Sequence, residues 1–327
     1  MENTIGFICA ITLVFFIVVG LLGNVTSLLV WTWGKRCQSV PVKSYFRFLS
    51  ICDVLILTCP AVGKVIELWD KDLLNRSNLI CKGLGFSVWA FAQVSASMLV
   101  ALTIERTVSM CFPMRSRSFS ASANKRSKFA FVVIVSVVLA LNIVTLFAFS
   151  VENITITNDD GGNLTHSFNA TNLTFCVVKE SLIFVFELKY FADVTLTVII
   201  PIVTILTCNL TILVILYRQN NQWAADKYRE RQFRRLSILV VIYGFTYIVT
   251  MMPLTFALSC HLKFLDCRGG FFHVFYPIAS CLTYINNALN CYMYCFLSDD
   301  FRKDLLEIIR RSYSKRHCTS TYSAHNI

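Results

Sequence analysis

The sequence predicts an all-α membrane protein, a seven-transmembrane helix bundle with a short amphipathic eighth helix. Three observations carry that expectation. Seven apolar runs, at about 4–33, 44–68, 79–111, 126–150, 184–217, 230–259 and 270–296, are each long enough to cross a hydrocarbon core roughly 30 Å thick. Lys and Arg cluster at 35–47, 106–128, 218–235 and 302–316, which are alternate gaps between those runs, while the other gaps carry mixed charge. The loop 151–189 is polar and holds four Asn-x-Ser/Thr sites.

Composition narrows the class. The 327 residues are 56% hydrophobic and only 15% charged, against about 25% charge in an ordinary soluble domain. The net charge of +11 falls on one set of gaps. That is the positive-inside pattern, so it orients a multi-pass membrane protein with those gaps in the cytoplasm and its N-terminus outside, and it gives no reason to expect nucleic acid as a partner. Glu2 stands where a leader would be basic, and the run from Ile5 to Trp33 is too long for a leader's apolar core. It reads as a signal-anchor span, with the mature chain expected to begin at or near Met1. No internal repeat is visible, so one domain is expected over 1–311, followed by a disordered cytoplasmic tail at 312–327.

In order along the chain, the first span holds Gly23-Asn24, a small and a polar residue suited to close helix contact and an interhelical hydrogen bond. The second buries Asp53 in hydrocarbon, which marks a functional position or a neutral packing residue. The third runs from Cys81 to Arg106, about 37 Å of helix at 1.5 Å per residue. A cysteine therefore stands at one membrane face and Glu105-Arg106 at the other. The loop after the fourth span carries glycan acceptors at Asn153, Asn163, Asn169 and Asn172, and Asn75 in the first outer loop is a fifth. Pro201 and Pro253 are expected to kink the fifth and sixth spans. The basic stretch between those spans reads as two helix extensions. From Asp299 to Ile309, Phe301, Leu305, Leu306, Ile308 and Ile309 alternate with Arg302 and Lys303, which predicts an amphipathic helix on the inner lipid leaflet. Of the 14 cysteines, Cys81, Cys176, Cys260 and Cys267 fall on the oxidising side, where three pairings are open. Cys37 and Cys318 fall on the reducing side.

These residues together resemble the rhodopsin-like (class A) G protein-coupled receptors, over almost the whole chain. Asn24, Asp53 and Arg106 match that family's signature polar residues, and Pro201 and Pro253 its kink prolines. Asn290-Cys291-Tyr292-Met293-Tyr294 is similar to its Asn-Pro-x-x-Tyr motif, with Phe301 following as the eighth-helix anchor. The resemblance implies a disulfide between Cys81 and Cys176. A second bridge, Cys260–Cys267, would close a loop of six residues and is left open. The run Tyr284 to Asn290, with no proline after it, is similar to invertebrate neuropeptide receptors of the FMRFamide-receptor kind. The chain also departs from the family pattern. Thr107 ends the acidic-Arg-Tyr triplet, Cys291 replaces a proline, Met251 stands where a switch tryptophan is usual, and Phe233 replaces an acid that often pairs with the central arginine.

What the resemblance implies about sites follows residue by residue. The ligand chamber would be lined by Val88, Trp89, Ala92, Gln93, Asp193, Leu254, Leu258, Tyr276, Ser280 and Tyr284. Val88 lacks the charge an amine ligand needs, and Tyr284 stands where a photopigment has its lysine. Acids at Glu67, Asp193 and Glu187 would suit a cationic or amidated peptide. Asp53, Ser95, Asn286 and Asn290 would form a sodium pocket or a water-filled polar network; no other cofactor or metal is expected. Glu105, Arg106, Pro253, Asn290 and Tyr294 would form the switch that receives a heterotrimeric G protein. With Phe233 unable to pair, the resting lock reduces to an exposed Glu105–Arg106 pair worth about 0–1 kcal/mol, which would favour ligand-independent signalling. Arrestin and a receptor kinase would act at the tail, with lipid around the spans.

The expected function is a cell-surface receptor for an extracellular ligand, a peptide, with a chemosensory receptor for a small external molecule as the alternative. A channel or transporter would need a continuous polar path, yet Asp53 is the one charge read in mid-membrane. No His-Glu-x-x-His, paired intramembrane aspartates or Gly-x-Ser-x-Gly supports an enzyme.

Overall fold

The computed structural model describes residues 2–69, 75–156, 171–219, 227–261 and 270–324. The first span is α1 (Glu2–Trp33), and the second is broken into α2 (Lys43–Thr58) and α3 (Pro60–Trp69). The third is α4 (Asn78–Cys111) and the fourth belongs to α5 (Pro113–Ala148). A hairpin of β1 (Phe149–Ile156) and β2 (Thr171–Val178) follows. The fifth span comprises α6 (Ile183–Val194), a wide π-turn at Thr195–Ile199, and α7 (Ile200–Gln219). The sixth is α8 (Lys227–His261), and the seventh divides into α9 (Gly270–Ala288) and α10 (Asn290–Leu297), before α11 (Asp299–Ala324). Six of the spans are long and apolar enough to cross a membrane among the described residues, and the broken seventh packs on α1 and α8.

Three expectations about boundaries change. The fourth span was expected to reach 150, but the helix stops at Ala148 and Phe149 pairs with Val178 in an antiparallel ladder. Backbone groups leaving the bundle there are satisfied by the hairpin, and Lys179 N closes onto Ala148 O at 2.9 Å. Lys189 falls at the end of the expected polar loop but lies in α6, with its side chain buried. The terminal helix continues to Ala324 instead of ending at 311, so the tail expected to be disordered is helical through that point. Nothing between 312 and 324 is Gly or Pro, and no local signal stops the helix. Asn163, Asn169 and Cys267, expected as glycan acceptors and a bridging cysteine, lie outside the described residues, as do the side chains of Asn153, Asn172, Phe233, Leu258 and Cys260.

Polar residues hold the apolar helices in register. Asn24 Nδ2 donates to Asn287 O at 2.9 Å, taking the carbonyl that is released where α9 ends. The break at Leu289 therefore exists without the usual proline, since Cys291 stands in its place. Gly20 is required where α1 crosses α9: a Cβ there would lie 2.7 Å from both the Ala288 Cβ and a Leu57 methyl. The last carbonyls of α1 face the same problem. Arg47 Nε and Nη2 donate to Trp31 O at 2.8 and 2.6 Å, tying the end of α1 to the start of α2.

At this same end Trp31, Phe46, Tyr294 and Phe301 form a fully buried aromatic cluster. Trp31 stacks on Phe46 at 4.6 Å between centroids, and Tyr294 meets Phe46 edge-on at 5.3 Å. Each such pair is worth about 0.5–1.5 kcal/mol beyond its buried area. Asp304 of α11 is buried against the first connecting loop, accepting from Arg36 Nη1 at 2.9 Å and from Cys37 N at 2.8 Å. Burial, with Asp304 beside it, pushes the Cys37 thiol up, so it behaves as an inert apolar residue.

Candidate functional site

At the hairpin end the bundle opens into a cavity of about 1560 Å³. Its rim is fixed covalently and by capping. Ser77 accepts from Leu79 N at 3.2 Å and starts α4, which places Cys81 for a disulfide to Cys176 of β2, with their Cα atoms 5.8 Å apart. Two asparagines ahead of Cys81 bind the hairpin: Asn75 Oδ1 accepts from Cys176 N at 2.9 Å, and Asn78 Oδ1 from Val151 N at 2.8 Å. Phe149 and Phe175 of the hairpin thus wall the mouth.

Most of the expected ligand set lies on this cavity. Val88, Trp89 and Ala92 line it from α4, Leu254 from α8, and Tyr276, Ser280 and Tyr284 from α9. Gln93 and Asp193 do not line it, and this corrects the expectation. They belong to a closed polar ring between α4, α5 and α6. Gln93 Nε2 donates to Asp193 Oδ1 at 2.8 Å, and Asn142 Nδ2 donates to Gln93 Oε1 at 2.7 Å. Lys189 Nζ donates to Asn142 Oδ1 at 3.2 Å and pairs with Asp193 Oδ2. The Lys189 and Asp193 side chains are 8% and 4% exposed. A buried pair survives in such a place because every partner is satisfied. Glu187 is exposed and also lies off the cavity.

Sequence reasoning missed Lys64. It lines the cavity from α3, with Nζ 2.9 Å from Glu67 Oε1 and 5.2 Å from the Tyr276 ring centroid. A signal was present: a lone lysine in the apolar second run, three residues before an acid.

Deeper in the bundle, Ser95, Asn286 and Met251 line the cavity's inner wall. Asp53 is fully buried and accepts from Asn290 Nδ2. Asp53 Oδ1 and Asn290 Oδ1 are buried with no hydrogen-bond partner among the described residues. Two orphaned oxygens, one from a carboxylate, are a donor set that suits a hard cation. The four residues expected to form the sodium pocket thus fall into a bonded pair and two cavity-wall residues.

The fifth and sixth spans meet at the cavity floor. In the π-turn a carbonyl loses its regular partner, and the Tyr247 hydroxyl of α8 donates to Thr197 O. Pro253 lies inside α8, nearly two turns beyond Tyr247.

At the far end from the cavity, Glu105 and Arg106 lie in the last two turns of α4. The expectation of an exposed pair is corrected, because Arg106 is 2% and Glu105 8% exposed. Both Glu105 oxygens are turned to the Arg126 guanidinium of α5, Oε2 accepting from Nε at 3.3 Å and Oε1 from Nη2. Tyr294, expected in the switch with Arg106, sits in the aromatic cluster, its buried hydroxyl without a hydrogen-bond partner among the described residues.

Comparison with known proteins adds the following. A family model described as 7 transmembrane receptor (rhodopsin family) matches residues 23–294. The human G-protein coupled receptor 65 is 25% identical over 306 residues, covering 92% of this chain and 86% of that protein. Bovine (Bos taurus) proteinase-activated receptor 2 is 24% identical over 294 residues, covering 89% of this chain and 68% of that protein. Growth hormone secretagogue receptor type 1 from Sus scrofa is 28% identical over 106 residues, which is 32% of this chain and 28% of that protein.

Proposed function

The chain belongs to the rhodopsin family of seven-transmembrane receptors, and from that premise we propose that it is a plasma-membrane receptor whose extracellular ligand is a peptide held in the hairpin-end cavity. The family is one of signalling receptors that couple an extracellular ligand to a G protein; it is not a family of enzymes. The observation that carries the finer reading is the cavity itself. Its 1560 Å³ and its lining from α1, α3, α4, the hairpin, α8 and α9 would admit several side chains of a peptide at once. The hairpin end is then extracellular and the Arg106 end cytoplasmic.

The route between the ends is short. A ligand reaching the floor would meet Met251, Tyr247 and Thr197, the last two joined across the fifth and sixth spans. Movement of α8 below Pro253 would open the inner end, where Arg106 receives the G protein and Tyr294 leaves its ring cluster for a polar partner. A sodium ion held by Asp53 and Asn290 would supply a fixed positive charge that stabilises the resting arrangement. Arrestin and a receptor kinase would act on the Ser- and Thr-containing terminal segment.

The test is guanine-nucleotide exchange on purified heterotrimeric G proteins by the receptor in lipid nanodiscs, screened with peptides and with small volatile and polar molecules. Exchange stimulated by a peptide, and lost in Arg106→Ala at matched protein levels with peptide binding retained, supports the reading. Stimulation by small molecules alone would favour the chemosensory alternative. Full stimulation in Arg106→Ala would overturn the role given to that residue.

A further inference from the structure

Among the described residues that line it, the cavity holds one cation and one carboxylate, Lys64 and Glu67, and they are unequally placed. The Lys64 side chain is 10% exposed, and Glu67 is 42% exposed. Lys64 has three N–H donors. One goes to Glu67 Oε1 at 2.9 Å, and the ammonium also stands over the face of Tyr276 at 5.2 Å. Glu67 is its one hydrogen-bond partner among the described residues.

That asymmetry decides which charge the cavity accepts. A ligand cation competing for Glu67 would leave the ammonium of a largely buried lysine side chain with no anion beside it, an unfavourable arrangement. A ligand carboxylate taking Lys64 would release Glu67 to solvent it already meets, at small cost. The other two acids expected to attract a cation do not offer themselves to the cavity. Asp193 is committed to Lys189, and Glu187 lies off the cavity.

We propose that the cavity recognises its ligand through a free carboxylate that displaces Glu67 from Lys64. The ligand's apolar or aromatic body packs along Trp89, Tyr276 and Tyr284. This rests on the cavity being the ligand chamber, and it names the chemistry of that ligand as a free acid, in place of the cationic or amide-capped one expected from sequence. A peptide C-terminus and a lipidic acid offer the same group.

Three probes with matched bodies test it on the full-length receptor in nanodiscs: N-octanoyl-phenylalanine, its carboxamide, and the cationic phenylalanine octylamide. Binding is read by thermal shift and by nucleotide exchange in parallel. The acid is expected to bind at least tenfold more tightly than either counterpart. Lys64→Gln should erase that preference, Lys64→Arg should keep most of it, and Glu67→Gln should strengthen acid binding severalfold by removing the internal competitor. A second pair, acetyl-Leu-Phe-Phe as acid and as amide, separates the sources. Tighter binding of the peptide acid than of the acyl acid assigns a peptide C-terminus, and the reverse order a lipidic acid. The proposal is overturned if no acid binds, if the amide or amine binds as well as the acid, or if Lys64→Gln keeps the preference. Acid-selective binding with no nucleotide exchange would leave this inference standing and count against the receptor reading alone.

Discussion

Arg126 of α5 grips both carboxylate oxygens of Glu105 on α4, so the inner ends of the third and fourth spans are joined beside the central arginine. The Arg126 side chain is 31% exposed and that of Glu105 9%, so removing one partner strands a largely buried charge. Arg126→Ala should lower stability by about 1–3 kcal/mol, with Glu105→Gln costing less because an amide oxygen still accepts. Thermal unfolding of the detergent-solubilised protein measures both. An unchanged midpoint in Arg126→Ala would remove the structural role of this pair.

The Lys189–Asp193 pair makes a sharper case, because both side chains are buried. Lys189→Ala leaves Asp193 facing Gln93 alone and should cost about 3–5 kcal/mol. Replacing both, as Lys189→Met with Asp193→Leu, should recover most of that loss. If the double variant is no more stable than Lys189→Ala, the loss does not come from an uncompensated charge.

A sodium ion between Asp53 and Asn290 predicts cation-specific stabilisation. Replacing potassium by sodium at constant ionic strength should raise the melting temperature of the native protein and leave Asp53→Asn unchanged. Equal melting of the native protein in the two salts would refute the ion.

Asn75 combines a glycan-acceptor sequence with a structural task, since its Oδ1 accepts from Cys176 N at the disulfide. It stands three residues before α4, close to the membrane surface. We expect Asn75→Gln to leave the glycosidase-sensitive mass unchanged while lowering thermal stability. Replacing Asn153, Asn163, Asn169 and Asn172 together should abolish that mass. A lighter glycoform in Asn75→Gln alone would show that Asn75 is modified.

What was legible in the sequence follows from how each signal is written. Bilayer thickness imposes long apolar runs, so the spans could be read directly, as could Cys81 and Arg106 at the two ends of one helix. Which way a side chain turns is not written so plainly. Val88, Trp89 and Ala92 were placed on the cavity by their likeness to the family, and regular α-geometry from Cys81 carries that placement intact. Asp193 precedes an irregular turn, and its partner Lys189 looked like loop. Their mutual neutralisation depends on Gln93 and Asn142 from two other helices, which no local pattern reveals. Lys64 was legible as a lone lysine in the second apolar run, but its place near the end of that run, three residues before Glu67, is also that of an ordinary solvated pair.

The wide turn at Thr195–Ile199 makes the fifth span two helices spliced out of phase. One surplus residue corresponds to about 100° of azimuth at 3.6 residues per turn. The outer segment, with Lys189 and Asp193, is therefore indexed separately from the inner one, where Asn209 Nδ2 reaches Val241 O at 3.3 Å. Deleting any one residue of the splice would let an ordinary helix form through it. Shortened by one residue in this way, the span would keep the ion pair and Asn209 on their present faces. Forcing all five positions into α-geometry at their present length would instead rotate one half against the other by that angle, swinging the buried ion pair out towards lipid or turning Asn209 away from α8.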